Sequence, residues 1–350
     1  MKYLYRAFRE SLADESNCTL EDGVLHIRHR TFTPAEIVDM AAQADGSNII
    51  FDELFADWLN EWKEQQCEEA GRILEEYDQQ DRFQRLVEAH KADLLVPFVG
   101  AGLSIPSGYP SWTAFLHKIR RESTFPEEEL NALLVAGCYE EAAQRLADAL
   151  GVNFDEAMEN CFLRKLPVTG AVGLLPYFFK GPVITTNFDT VLERAYRDAD
   201  NAFSSVLNGA DSRRYRITSR ENPHLLLKLH GQVDDCQRRV LTLCEYNTHY
   251  VDNTTLMDIV KLLYDQNNLL FLGCSLGVDR LLKTCKEYVA SIGHSNLPRH
   301  YAFLLAPLDH EERVERKKQL TDYHIYPIWY SGDHDESITA LLIKLHEAAQ

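Results

Sequence analysis

The stretch LLVPFVGAGLSIPSGYPSW, Leu94–Trp112, decides the fold. It opens with an apolar run of strand length, LLVPFV, that stops at Gly100. A short, continuously apolar run bounded by a turn signal reads as a strand buried on both faces. Glycines at 100 and 102 permit a tight turn and a close approach of the backbone to a ligand. Ser107-Gly108-Tyr109-Pro110 supplies a second turn, and Trp112 opens a helix. The same grammar recurs outward: PVITTNF (Pro182–Phe188), LLLKLHG (Leu225–Gly231), NLLFLGCS (Asn268–Ser275), HYAFLLA (His300–Ala306) and HIYPIWY (His324–Tyr330). Helical patterns separate these runs, including DTVLERAYRDA, DRLLKTCKEYVASI and a final helix near Glu336–Ala349. Apolar strands alternating with helices predict an α/β, doubly wound parallel sheet with helices on both faces. In such sheets ligands bind beyond the carboxyl ends of the strands.

The chain has 350 residues, with 36 Lys plus Arg against 54 Asp plus Glu, a net charge of −18. That excess argues against coating nucleic acid or an anionic membrane by bulk charge. The first 90 residues lack the strand–helix grammar. Residues 51–80 hold ten acids and two bases, while Phe51, Leu54, Phe55, Trp58, Leu59 and Trp62 recur at helical spacing. Gly23–Arg30 alternates like a short strand, and Thr33-Pro34 signals a helix start. We therefore expect a mostly helical extension over 1–90, suited to assembly or partner binding, and a catalytic domain over 91–350. The amino terminus shows neither a signal-peptide pattern nor an apolar span, and the eight cysteines are scattered without a C-x2-C pair. The expected location is cytoplasmic, with no membrane contact.

Four strand ends carry chemistry. Gly100-Ala101-Gly102-Leu103-Ser104 could present backbone amides to a phosphate. It is neither the dinucleotide fingerprint nor a Walker loop, since Ile105 stands where a glycine is needed. Thr185-Thr186-Asn187-Phe188-Asp189 offers an amide and a carboxylate, and by itself also reads as turn and cap chemistry. His230-Gly231 offers an imidazole whose ordinary pKa suits acid–base work. Gly273-Cys274-Ser275-Leu276-Gly277-Val278-Asp279 is a further glycine-rich turn before a helix.

The ordered set GAGLS…SGYPSW, TTNFD, LKLHG, VLTLCEYNTHY and LLFLGCSLGVD resembles the sirtuin family. It is closer still to the sirtuin-like NAD-hydrolysing domains of bacterial antiphage defence proteins, over roughly residues 85–345. The resemblance implies a Rossmann-like NAD-binding fold in which Gly100, Ala101, Gly102 and Ser104 hold the NAD phosphates, with Thr186 beside them. It implies that Asn187 positions water and the nicotinamide ribose, and that His230 is the general base. Gly273 and Ser275 would line the adenosine side, and Asp189 and Asp279 would contact ribose or hold a loop. Sirtuin deacylases carry two C-x2-C pairs for zinc after the His-Gly. Here residues 231–272 contain only Cys236 and Cys244, so no zinc is expected and NAD is the substrate.

The resemblance implies an NAD glycohydrolase that depletes NAD in abortive infection. The alternatives are a non-catalytic NAD or ADP-ribose-binding subunit and a protein deacylase. Such an activity needs control, so a homo-oligomer is expected, with a HerA-type ATPase as candidate partner and a short Argonaute as runner-up. No direct nucleic-acid binding is expected.

Overall fold

A computed structural model describes residues 1–12, 18–21, 24–33, 36, 49–215, 223–252, 255–277 and 280–350. It divides into two compact units, Met1–Glu69 and Ala70–Gln350. The division falls inside a helix, Ile49–Glu76, rather than near residue 90.

The first unit contains helix α1 (Tyr5–Leu12), a three-stranded antiparallel sheet and the amino-terminal part of helix α2 (Ile49–Glu76). The sheet comprises β1 (Cys18–Glu21), β2 (Val24–Ile27) and β3 (Arg30–Phe32), so this unit adds a small sheet to the expected helices. Leu4, Phe8, Phe32, Leu54, Phe55 and Trp58 form its core. The last three are among the helically spaced apolar residues of the sequence, and here they form one buried face of α2. Part of the acidic run is answered locally: Arg28 pairs with Glu61, and Arg30 pairs with Glu53 and with Asp57 at 2.5 Å. The helix expected to start at Pro34 lies outside the described residues apart from Glu36. Glu36 and Thr33 exchange the reciprocal bonds of a capping box, with Thr33 N donating to Glu36 at 2.8 Å.

The second unit is built on a seven-stranded, wholly parallel sheet in the order β10-β9-β8-β4-β5-β7-β6. Its strands are β4 (Leu95–Val99), β5 (Val183–Thr185), β6 (Ser205–Asn208), β7 (Leu225–Lys228), β8 (Asn268–Leu272), β9 (His300–Leu305) and β10 (Ile325–Tyr330). Six of them are the apolar runs of the sequence; β6 is an additional edge strand. From β4 the chain builds outward through β5 to β6 and β7. It then returns across β4 to lay down β8, β9 and β10 on the other side. The order therefore reverses between β4 and β8, the place where open parallel sheets hold ligands.

Helices connect the strands, as parallel pairing requires. They are α3 (Gln80–Lys91), α4 (Trp112–Arg120), α5 (Glu127–Val135), α6 (Tyr139–Leu150), α7 (Asn153–Phe162), α8 (Val191–Asp198), α9 (Thr255–Gln266), α10 (Arg280–Ile292), α11 (His310–Asp322) and α12 (His334–Ala349). Phe83, Leu86 and Val87 bury the apolar face of α3, which packs against α12. Pro97 is tolerated in central β4 because β5 pairs with β4 only at Phe98 and Val99.

The edge strand β10 is closed by side chains. The buried Gln79 donates from Nε2 to Trp329 O at 2.6 Å, and its Oε1 accepts from Trp329 N at 2.9 Å. This amide stands in for one residue of a further strand. Arg82 also donates to Pro327 O. Removing the Gln79 amide strands a buried N–H and a buried C=O. Gln79→Ala should therefore cost about 2–4 kcal/mol in urea unfolding. A loss below roughly 0.5 kcal/mol, the size of an ordinary surface substitution, would show that the amide does not close this edge.

Candidate active site

The carboxyl ends of the parallel strands surround a cavity of about 860 Å³. Its central floor is the meeting of two turns, Gly100–Ser104 after β4 and Gly273–Gly277 after β8. Gly100 N donates to Leu272 O at 2.8 Å and Gly102 N to Gly273 O at 2.9 Å. The turns approach so closely that side chains are excluded. A Cβ at Gly100 would lie 2.6 Å from Gly273 O, and one at Gly102 would lie 2.8 Å from Gly273 Cα. Gly273 also has a φ of +66°, a left-handed backbone that glycine adopts without strain. The close approach expected for a ligand is thus first an approach of backbone to backbone. Leu103 N and Ser104 N close the tight turn onto Gly100 O and Ala101 O. Of the five amides in GAGLS, only that of Ala101 has no acceptor among the described residues.

The β5 turn is tied to the same floor. Thr185 Oγ1 donates to Val99 O at 2.7 Å and accepts from Asn187 N at 3.0 Å. Asn187 Nδ2 donates to Ser104 Oγ at 3.2 Å, while its Oδ1 is buried without a partner among the described residues. The Ser104 hydroxyl hydrogen-bonds the Asp189 carboxylate, which also accepts from Val191 N at 2.9 Å. Burial pushes the Asp189 carboxyl up, and those hydrogen bonds and Lys228 oppose the shift. Lys228, 1 % exposed, donates to Asp189 O at 2.7 Å and pairs with Glu193 at 2.9 Å. The end of β7 is thereby joined to the turn after β5.

His230 follows β7 and lines the cavity. Its Nε2 and the Tyr246 hydroxyl are 3.3 Å apart. Tyr246 belongs to the helical turn Leu243–Tyr246, started by a capping box between Thr242 and Glu245. Burial pushes the His230 imidazole down to about 3, so the ring is neutral at physiological pH.

The expected residues separate into two layers. Gly100, Ala101, Gly102, Thr186, His230, Gly273 and Ser275 line the cavity. Ser104, Asn187 and Asp189 are buried outside its lining and are bonded to one another as a supporting layer. Asp279 lies outside the described residues. The wall also includes Trp112, Tyr246, Tyr330, Asp333, His334 and Asp335. Sequence reasoning missed the last four as site residues, because the end of β10 carries no glycine-rich motif. The turn Tyr330–Asp335 nevertheless obeys the strand-end rule that located the others. No group of three or more described His, Cys, Asp or Glu residues could hold a metal ion. No helix among the described residues is long and apolar enough to cross a membrane.

Comparisons with known proteins agree with this geometry. Residues 182–328 match the family model described as a SIR2-like domain, from the approach to β5 into β10. The chain is 26% identical over 236 residues to the NAD(+) hydrolase ThsA of Enterococcus faecium, covering 64% of this chain and 45% of that protein. It is 24% identical over 182 residues to the NAD(+) hydrolase ThsA of Acinetobacter baumannii, covering 50% and 35%. The chain spans less than half the length of these curated relatives. The matched stretch holds β5 to β9 and most of β10, so the strand ends that carry Thr186, His230 and Ser275 lie in the part of the chain that is similar to a SIR2-like domain.

Proposed function

We propose that this chain is an NAD glycohydrolase that cleaves NAD to nicotinamide and ADP-ribose. The observation that carries this reading is the placement of Asn187 and His230 at adjacent strand ends. One lies beneath and the other on the wall of a cavity at the switch point of a SIR2-like sheet. Both named relatives are NAD(+) hydrolases, which supports it further.

In this reading the glycosidic bond between ribose C1′ and the nicotinamide nitrogen breaks, and its electron pair leaves with nicotinamide. An oxocarbenium-like centre remains. Water adds to C1′ and its proton passes to His230. The unpartnered Oδ1 of Asn187 supplies an acceptor that could orient the water or a ribose hydroxyl once the amide faces the ligand. A neutral imidazole is the form that can accept a proton. In the ligand-free cavity burial makes it a weak base. The water becomes strongly acidic as it bonds to the cationic C1′, so a weak base suffices to take its proton.

The same reading makes the chain an effector of antiphage defence whose activity is held in check by assembly or a partner. A HerA-type ATPase is the first candidate and a short Argonaute the second. The first unit is the proposed contact surface, through exposed acids of α2 such as Glu64 and Glu68.

Nicotinamide release should be measured with the full chain, alone and with its operon neighbour. Asn187→Ala and His230→Ala should each lower kcat by roughly 10²–10⁴-fold while ADP-ribose still binds. Binding of NAD without turnover in every condition would instead favour a non-catalytic NAD-binding subunit. The pH dependence follows from the direction of the His230 shift. A ring held near 3 stays neutral down to about pH 4, so kcat/KM, which reports the free enzyme, should not fall through a step near 6.5. A step at 6.5 that disappears in His230→Gln would contradict the burial of the ring.

A further inference from the structure

The cavity lacks cationic donors for a pyrophosphate. Among the described residues no Lys or Arg lines it, whereas Glu140, Asp333 and Asp335 do. Arg316 comes near, but its guanidinium donates to the carbonyls of Ser275, at 3.1 Å, and Leu276. The Gly100–Ser104 turn offers one uncommitted amide, Ala101 N. A dianion held there needs a donor from the facing wall. Lining hydroxyls such as those of Thr186 and Ser275 can each supply one bond, and both stand on strand ends already assigned to the ligand.

His334 faces that turn from the other side. It is the first residue of α12, placed by the cap that Asp333 makes to Asp335 N and Glu336 N, both at 2.9 Å. Its Nδ1 is hydrogen-bonded to the Tyr330 hydroxyl. Burial pushes that phenol up, so it keeps its proton, and its oxygen is bonded by the Leu305 backbone. An oxygen that accepts from an amide directs its own hydrogen to Nδ1, which leaves the remaining proton of a neutral imidazole on Nε2. Burial holds the imidazole down, so the neutral form prevails. Nε2 is buried without a partner among the described residues, 2.9 Å from where a Cβ on Gly102 would sit. A buried N–H with no acceptor is costly, and a ligand oxygen would relieve it.

We infer that His334 is a binding residue for the dinucleotide: its Nε2–H donates to a pyrophosphate oxygen, opposite the Gly100–Ser104 turn. The assignment rests on the proposed NAD chemistry and extends it to a residue of the β10 end. The order of the strands supports the position. The turns after β4 and β8 lie at the middle of the sheet, and the pyrophosphate is the middle of a dinucleotide. His230, at the end of β7, marks the side where the nicotinamide ribose would react. Tyr330 is then a positioning residue that fixes the tautomer.

The test is titration of the full chain with ADP-ribose by calorimetry, together with 31P spectra of the bound ligand and the ligand-free melting temperature. His334→Ala should weaken ADP-ribose binding by about tenfold or more, the scale of one charge-assisted hydrogen bond. It should also shift the bound 31P signals. His334→Gln, which keeps an N–H donor, should recover part of the affinity, and Tyr330→Phe should lie between. In turnover assays KM for NAD should rise more than kcat falls. Affinity within twofold of wild type in His334→Ala overturns the assignment. So does a loss that His334→Gln does not reduce while the 31P signals stay in place. A wild-type chain that binds ADP-ribose yet never releases nicotinamide would remove the hydrolase reading and leave the His334 test intact. Failure of the wild-type chain to bind ADP-ribose would remove both.

Discussion

The structure depends on one seam, the contact between the turns that leave β4 and β8. Two hydrogen bonds, from Gly100 N to Leu272 O and from Gly102 N to Gly273 O, extend the pairing of these strands beyond the sheet. No atom can be added at Gly100 or Gly102 without striking the other turn. This contact fixes the middle of the cavity. The β5 turn is hung from it through Thr185 and Ser104, and the β7 end is hung from the β5 turn through Lys228. The links from Ser104 to Asn187 and Asp189, and from Asp189 to Lys228, are hydrogen bonds between buried groups, and His230 follows Lys228 by two residues. Buried polar links of this kind resist displacement, because breaking one leaves an unsatisfied group in low dielectric.

Much of this was legible in the chain. The runs ending at Gly100, Phe188, Gly231 and Ser275 became β4, β5, β7 and β8, because strands buried on both faces must be apolar throughout and must end where the backbone turns. His230 and Thr186 stand just beyond two of those strand ends and line the cavity. β6 was not legible: Ser205–Asn208 is four residues long, half polar and at an edge, so burial imposes no pattern on it. The small sheet of the first unit was signalled only by the alternation of Gly23–Arg30, since short, partly covered strands leave a faint trace.

The side-chain roles were the hardest part to read. Gly102 makes room for Gly273 and His334, neighbours that its place in a glycine turn does not reveal. Ser104 bridges Asn187 and Asp189, a role that spacing along the chain does not reveal either. Gln79 carried no signal at all, because a side chain that imitates a strand residue has no periodicity to reveal it. In each case the deciding partner lies far along the chain, where spacing arguments do not reach.

That distance has a consequence for how the protein comes into being. Gln79 meets Trp329 across 250 residues of chain, and the cavity wall joins the Gly100–Ser104 turn to Tyr330 and His334. Contacts so remote in sequence form late, after the intervening chain exists to be folded. A nascent chain that has emerged only as far as β8 has the glycine seam, Asn187 and His230, yet its cavity still lacks the wall that β9 and β10 provide. For a chain whose proposed chemistry consumes a cofactor the cell depends on, the order of synthesis delays a finished site until β10 and the start of α12 have left the ribosome.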